Sequence, residues 1–173
     1  MKFLVLMIAL MFSANVLAEG ALHAHEHGTI VLEVGVEGKM ATFSVDGPAE
    51  SFLGFEYVAK TTKEKKVFNE AKKLWSKNFF ELVSFDKALE CKLSGDKFEQ
   101  KVEKEDHKDH KEEGVHSDIE ASIMVSCSKD LKGAKLLVNL KKHFKNIKKL
   151  KMELVGNETK SIDIKSDSFE VNL

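Results

Sequence analysis

The 173-residue sequence contains no arginine, one proline, one tryptophan, one tyrosine and two cysteines. Without arginine the chain lacks the planar, bidentate fork usual in phosphate recognition. Lysine can still bind phosphate, but no glycine-rich loop accompanies it here. The 27 lysines stand against 28 acidic side chains, so no basic excess draws a polyanion, and nucleic acid drops out as a partner. The usual catalytic signatures are missing as well: no His-Glu-x-x-His helix, no Gly-x-Ser-x-Gly turn and no P-loop. The chain therefore reads as a protein that is not an enzyme.

Long apolar runs are absent except at the start. Met1-Lys2 supplies a positive end, Phe3 to Phe12 an apolar stretch too short to span a bilayer comfortably, and Val16-Leu17-Ala18 a small-residue processing pattern. Residues 1–18 are expected to be a secretory signal peptide cut after Ala18. The competing reading, a membrane-anchoring helix, lacks the long hydrophobic core it needs, so no stable membrane insertion is expected. A cut after Gly20 would instead expose Ala21-Leu22-His23, whose free amine and third-position histidine can wrap square-planar copper(II) or nickel(II). The remainder, residues 19–173, is 155 residues long, enough for a single domain with a proper core. In an oxidising compartment Cys91 and Cys127 are expected to form a disulfide, with a pair of metal-binding thiolates as the alternative.

The period of the apolar residues sets the fold class. Ile30, Leu32, Val34 and Val36 alternate with Val31, Glu33, Gly35 and Glu37, Gly38-Lys39 turns the chain, and Ala41, Phe43 and Val45 return, giving a hairpin that Gly47-Pro48 ends. The stretch from Phe52 to Phe55 has no readable period. "TTKEKKVFNEAKKLWSKNFF" is an amphipathic helix: Thr61 and Glu64 have capping-box spacing, and Val67, Phe68, Ala71, Leu74, Trp75 and Phe79 form one stripe. Packing on a sheet is the expected fate of that stripe, although lysines beside Trp75 also allow a membrane-surface helix.

Leu89, Cys91 and Leu93 share one face of a strand, and Ile119, Ala121, Ile123, Val125 and Cys127 share a face of another. Pairing Cys91 with Cys127 in an antiparallel ribbon opposes Leu93 to Val125 and Gly95 to Ile123, and centres the ribbon on Asp109. Further strands are read at Leu136-Val138-Leu140, Leu150-Met152-Leu154, Ile162-Ile164 and Phe169-Val171-Leu173. The expected architecture is α+β: a mainly antiparallel sheet, one principal amphipathic helix, and a long hairpin carrying a charged, histidine-bearing loop at residues 101–117.

The histidines carry the chemistry. Six of the seven fall in two windows totalling fifteen residues: His23, His25 and His27 in "HAHEH", and His107, His110 and His116 in the loop. Neutral imidazole suits zinc, copper and nickel, and nearby carboxylates such as Asp106 and Asp109 can complete a four-coordinate zinc shell. Ligands at a terminus and on a loop tip suit capture and hand-over rather than catalysis, which needs a fixed site in a cleft. For the loop, a solvated linker is the plain alternative. His143 sits beside Phe144 in a lysine-rich turn and reads as structural. Met40, Met124 and Met152 fit strands and form no copper(I) cluster.

These residues together resemble the ZrgA-type periplasmic zinc-binding proteins of Gram-negative bacteria. The resemblance runs over most of the chain from "HEHGTIVLEVGVEG", through Gly54-Phe55-Glu56 before "KTTKEK", to Cys91, the acidic insert, and "HSDIEASIMVSC" with the second cysteine. It implies a periplasmic accessory role in zinc acquisition, with a high-affinity importer component as partner and metal held by the insert and the N-terminal histidines. Two departures stand out: Tyr57 occupies a position where a histidine often follows Gly-Phe-Glu, and the insert is short. Two other readings remain: a structural or envelope-interaction domain with incidental metal binding, and copper or nickel sequestration. With so few ligands in each segment, a metal-bridged homodimer is a further expectation.

Overall fold

The computed structural model describes residues 27–102, 116–156 and 158–173. The leader expected at residues 1–18, His23 and His25, and the loop residues Asp106, His107, Asp109 and His110 lie outside the described residues.

Strands β1 (Thr29–Glu37) and β2 (Met40–Pro48) form the expected hairpin about Gly38-Lys39. They occupy the centre of a six-stranded sheet ordered β4-β5-β2-β1-β7-β8, with β4 at Lys92–Val102, β5 at Ser117–Ser126, β7 at Lys149–Val155 and β8 at Thr159–Ile164. All neighbours are antiparallel except β1 and β7. A second, antiparallel sheet is ordered β3-β6-β9, from Val83–Phe85, Lys135–Val138 and Phe169–Asn172. The class is thus α+β with one main helix, as expected. The parallel β1–β7 pairing is a tertiary feature that no local period announces.

One face of the large sheet is apolar because alternation puts Ile30, Leu32 and Val34, Ala41, Phe43 and Val45, Ile119 to Val125, and Leu150 to Leu154 on the same side. Four helices and the small sheet cover it: α1 (Ala49–Leu53), α2 (Thr62–Ser76), α3 (Phe79–Leu82) and α4 (Leu140–His143). Helix α2 starts on the expected capping box, with the Glu64 amide donating to Thr61 Oγ1 (3.3 Å) and the Thr61 amide donating to the Glu64 carboxylate (2.9 Å). Its Trp75 is fully buried, packs edge-on against Phe79 at 5.2 Å, and donates its indole N–H to the Ser122 carbonyl at 3.2 Å. The tryptophan face is therefore core, which removes the membrane-surface reading. Among the described residues no helix is long and apolar enough to cross a membrane.

Two sequence expectations are corrected here. Helix α2 stops at Ser76, where the amides of Lys77 and Asn78 both bond the Lys73 carbonyl, and Phe79 opens a separate short helix. Leu140 is not in a strand. The chain leaves β6 at Val138, and the Asn139 amide bonds the Leu82 carbonyl as α4 begins.

The ribbon of β4 and β5 is closed at its base by the Cys91–Cys127 disulfide, S–S 1.99 Å, which excludes the thiolate alternative. Leu93 opposes Val125 as the pairing predicts, but Asp96, not Gly95, opposes Ile123. Gly95 is an extra residue with φ +64°, a bulge that shifts the register by one. The reason lies in the sequence. Leu93 and Phe98 are an odd number of positions apart, so an unbroken strand would turn Lys97 and Glu99 inward and Phe98 out. After the bulge Phe98 opposes Ala121 and Gln100 opposes Ile119, both on the buried face.

Two outcomes test the ribbon. Mass spectrometry of the unreduced protein should show Cys91 joined to Cys127, and replacing both with serine should cost up to about 4 kcal/mol in urea unfolding by the chain-entropy relation; two free thiols would refute the pairing. Gly95→Ala should destabilise by about 1–2 kcal/mol because of the left-handed backbone, and Gly95→Asn by less. Equal stability of wild type and Gly95→Ala would show that no bulge forms there.

Candidate metal centre

The last histidines of the two windows, His27 and His116, meet in space. His27 lies two residues before the start of β1 at Thr29 and is followed by Gly28 at φ +78°. The Gly28 carbonyl accepts the amides of Lys148 (2.8 Å) and Lys149 (3.0 Å), which fixes where the strand begins. A side chain at position 28 would have its Cβ 2.9 Å from Lys148 Cδ, so the close approach also selects glycine. His116 immediately precedes β5. Because β5 and β1 flank β2 in the sheet, the two histidines emerge at the same end of it.

Two glutamates at that end bind the pair together. Glu50 lies in the first turn of α1, just after β2 ends at Pro48. Glu56 lies in the connection to α2, two residues past Gly54, which caps α1 in the left-handed conformation at φ +80°. The Glu56 carboxylate sits between the imidazoles: Oε1 is 2.8 Å from His27 Nδ1 and Oε2 is 2.7 Å from His116 Nδ1. Glu50 Oε2 is 3.3 Å from the same His27 nitrogen. The ring centroids of His27 and His116 are 6.1 Å apart.

The spacing suits a small cation. One donor atom each from His27, Glu50 and Glu56 lies within 4.8 Å of the others. Tetrahedral zinc with ligands at about 2.0–2.1 Å separates them by about 3.3 Å. The His27–Glu50 distance already has that value, and the His27–Glu56 hydrogen bond need open by only about half an ångström. His116 sits on the other oxygen of Glu56, outside that trio, as a partner that can orient the carboxylate.

Stability alone does not account for the arrangement. The side chain of His27 is 55% exposed and that of Glu56 31%, and ion pairs in such surroundings contribute little, about 0–1 kcal/mol. The openness has a chemical consequence, since a metal held here remains accessible for ligand exchange.

Of the residues singled out from sequence, His27 and His116 are brought together. His23, His25, Asp106, His107, Asp109 and His110 lie outside the described residues. Cys91 and Cys127 are joined to each other. Glu50 and Glu56 were not anticipated as ligands. Glu56 had a signal, its place in Gly-Phe-Glu, whereas Glu50 had none, because α1 shows no period. Tyr57 faces away from the donors: its hydroxyl donates to Glu64 Oε1 at 3.2 Å, and the negative Glu64 beside it raises the phenol above its ordinary range.

None of the curated proteins compared with the chain matches it. The family model described as "ZrgA family zinc uptake protein" matches residues 24–173, a span that takes in every residue of the centre. The chain belongs to the ZrgA family of zinc uptake proteins.

Proposed function

We propose that this chain is an exported, periplasmic zinc-capture protein that assists delivery to a high-affinity importer. In this reading zinc is the cargo. His27, Glu50, Glu56 and His116 form its principal centre, and His23, His25, His107 and His110, with Asp106 and Asp109, are auxiliary ligands on the adjoining segments. The observation that carries the reading is the Glu56 carboxylate held between His27 and His116, the inner ends of the two histidine-rich windows. Each window contributes one imidazole, and α1 and the connection after it contribute the two carboxylates.

The donor set argues against copper(I), and the family match favours zinc over copper(II) and nickel(II), which imidazole also suits. Imidazole nitrogen with carboxylate oxygen suits zinc, whereas copper(I) selects thioether and thiolate ligands, and both thiols here are consumed in the disulfide. A half-exposed centre with exchangeable positions fits a protein that takes up metal and gives it away. It also leaves room for a ligand from a recipient protein or a second copy.

Calorimetric titration with zinc tests the centre directly. The variant His27→Ala/Glu56→Gln/His116→Ala should lose the tightest binding event by more than about 100-fold, since these are proposed ligands and even outer-shell changes cost 10–100-fold. His107→Ala/His110→Ala should lower the number of zinc ions bound while the tightest event persists. Wild-type binding by the first variant would reduce the cluster to a surface ion-pair network and favour the structural or envelope-interaction reading.

Protons compete with zinc for imidazole nitrogen, so affinity should be lower at pH 5 than at pH 7.5. The sign follows because acid protonates the ligands before the metal can bind. An affinity unchanged between the two values would exclude histidine as the main ligand.

A further inference from the structure

We infer that Gln100 and Ser117 are positioning residues that hold Glu56 and His116 in register for metal, an inference that rests on the centre proposed above. Among the described residues Ser117 is one of two buried polar side chains and is only 2% exposed. Its hydroxyl donates to the backbone carbonyl of Glu56 and accepts from Gln100 Nε2 at 2.8 Å. The other Nε2 proton of Gln100 goes to the carbonyl of Tyr57 at 2.9 Å, and Gln100 Oε1 accepts the Ala59 amide at 3.3 Å.

Every bond in this clamp has the correct polarity. The two amide protons of glutamine meet two acceptors and its oxygen meets an N–H, so a flipped amide would oppose oxygen to carbonyl oxygen. Three backbone groups of the segment carrying Glu56 are thereby tied to the ends of β4 and β5. Ser117 also directly follows His116 in the chain. One buried hydroxyl thus anchors the backbone of both partners in the 2.7 Å His116–Glu56 contact. The Gly95 bulge is what turns Gln100 to the buried face where it can reach them.

A purely structural clamp and a positioning clamp differ in how they couple to Glu56. The test uses the full chain with His23, His25, His107 and His110 replaced by alanine, so that zinc reports on the proposed centre. Affinity is read by competition with a chromophoric chelator, and the folded state by circular dichroism and melting of the metal-free protein. Ser117→Ala and Gln100→Ala should each weaken zinc about 10–100-fold, as outer-shell changes do, while Ser117→Thr, which keeps the hydroxyl, restores affinity. Combined with Glu56→Gln, either change should have little further effect, because the carboxylate through which it acts is gone.

If Ser117→Ala fails to fold, Gln100→Glu carries the test, since it keeps the acceptor for Ala59 and loses both donors. The inference is overturned if the clamp variants bind zinc within about twofold of their parent while Glu56→Gln does not, or if their effects persist undiminished beside Glu56→Gln. Parent-like binding by Glu56→Gln itself would overturn the centre instead.

Discussion

A β-strand leaves a side chain no choice of face: successive residues point to opposite sides of the sheet, and one extra residue reverses every side chain beyond it. That constraint governs the ribbon of β4 and β5. Strand β5 alternates cleanly, with Ile119, Ala121, Ile123 and Val125 buried, so its neighbour must present compatible residues opposite each. Strand β4 meets the demand at Leu93 and again at Phe98 only because Gly95 is left out of the pairing. A glycine is required there because the bulge needs a left-handed backbone. From this one inserted residue follow the packing of Phe98 against Trp75 and Phe52, the inward turn of Gln100, and the contacts that hold the Glu56 segment.

The candidate metal centre sits at the sheet end next to the two histidine-bearing segments of the chain. Its two imidazoles come from residues just outside β1 and β5, and its two carboxylates from a short helix and a connection packed against the sheet end. Strands position the histidines, while the connection brings Glu56 between them. A zinc uptake protein has to bind its cargo without trapping it. The proposed site, a half-exposed set of nitrogen and oxygen donors with its two imidazoles at the ends of segments richer in histidine, is compatible with both requirements. The disulfide at the far end of the ribbon closes its base, and the clamp of Gln100 and Ser117 secures the end that carries His116.

Much of the scaffold was legible in advance because it rests on local periods. Alternation identified β1, β2, β5 and β7, and the Thr61–Glu64 spacing placed the start of α2 on the residue where the cap is found. The cysteine pairing was readable because both residues lie on apolar strand faces in one register. Helix α1 was not readable, since five residues after a proline show no usable period, and with it Glu50 escaped notice. The bulge could have been found from the odd spacing of Leu93 and Phe98, but a single apolar position beyond a glycine weighs little against an unbroken register.

The sequence by itself determined which side chains are available as ligands. Two histidine windows and a cysteine pair are properties of composition and short spacing. They need no fold to be read. Only the tertiary structure decided which of those histidines meet, and that carboxylates from elsewhere join them. His27 and His116 are far apart in the chain, and Glu56 belongs to neither window. Their proximity follows from β1 and β5 lying on either side of β2 and from side chains of β4 and β5 fastening the intervening connection. Contacts of that range depend on how elements pair across the sheet, and no local pattern of residues encodes them.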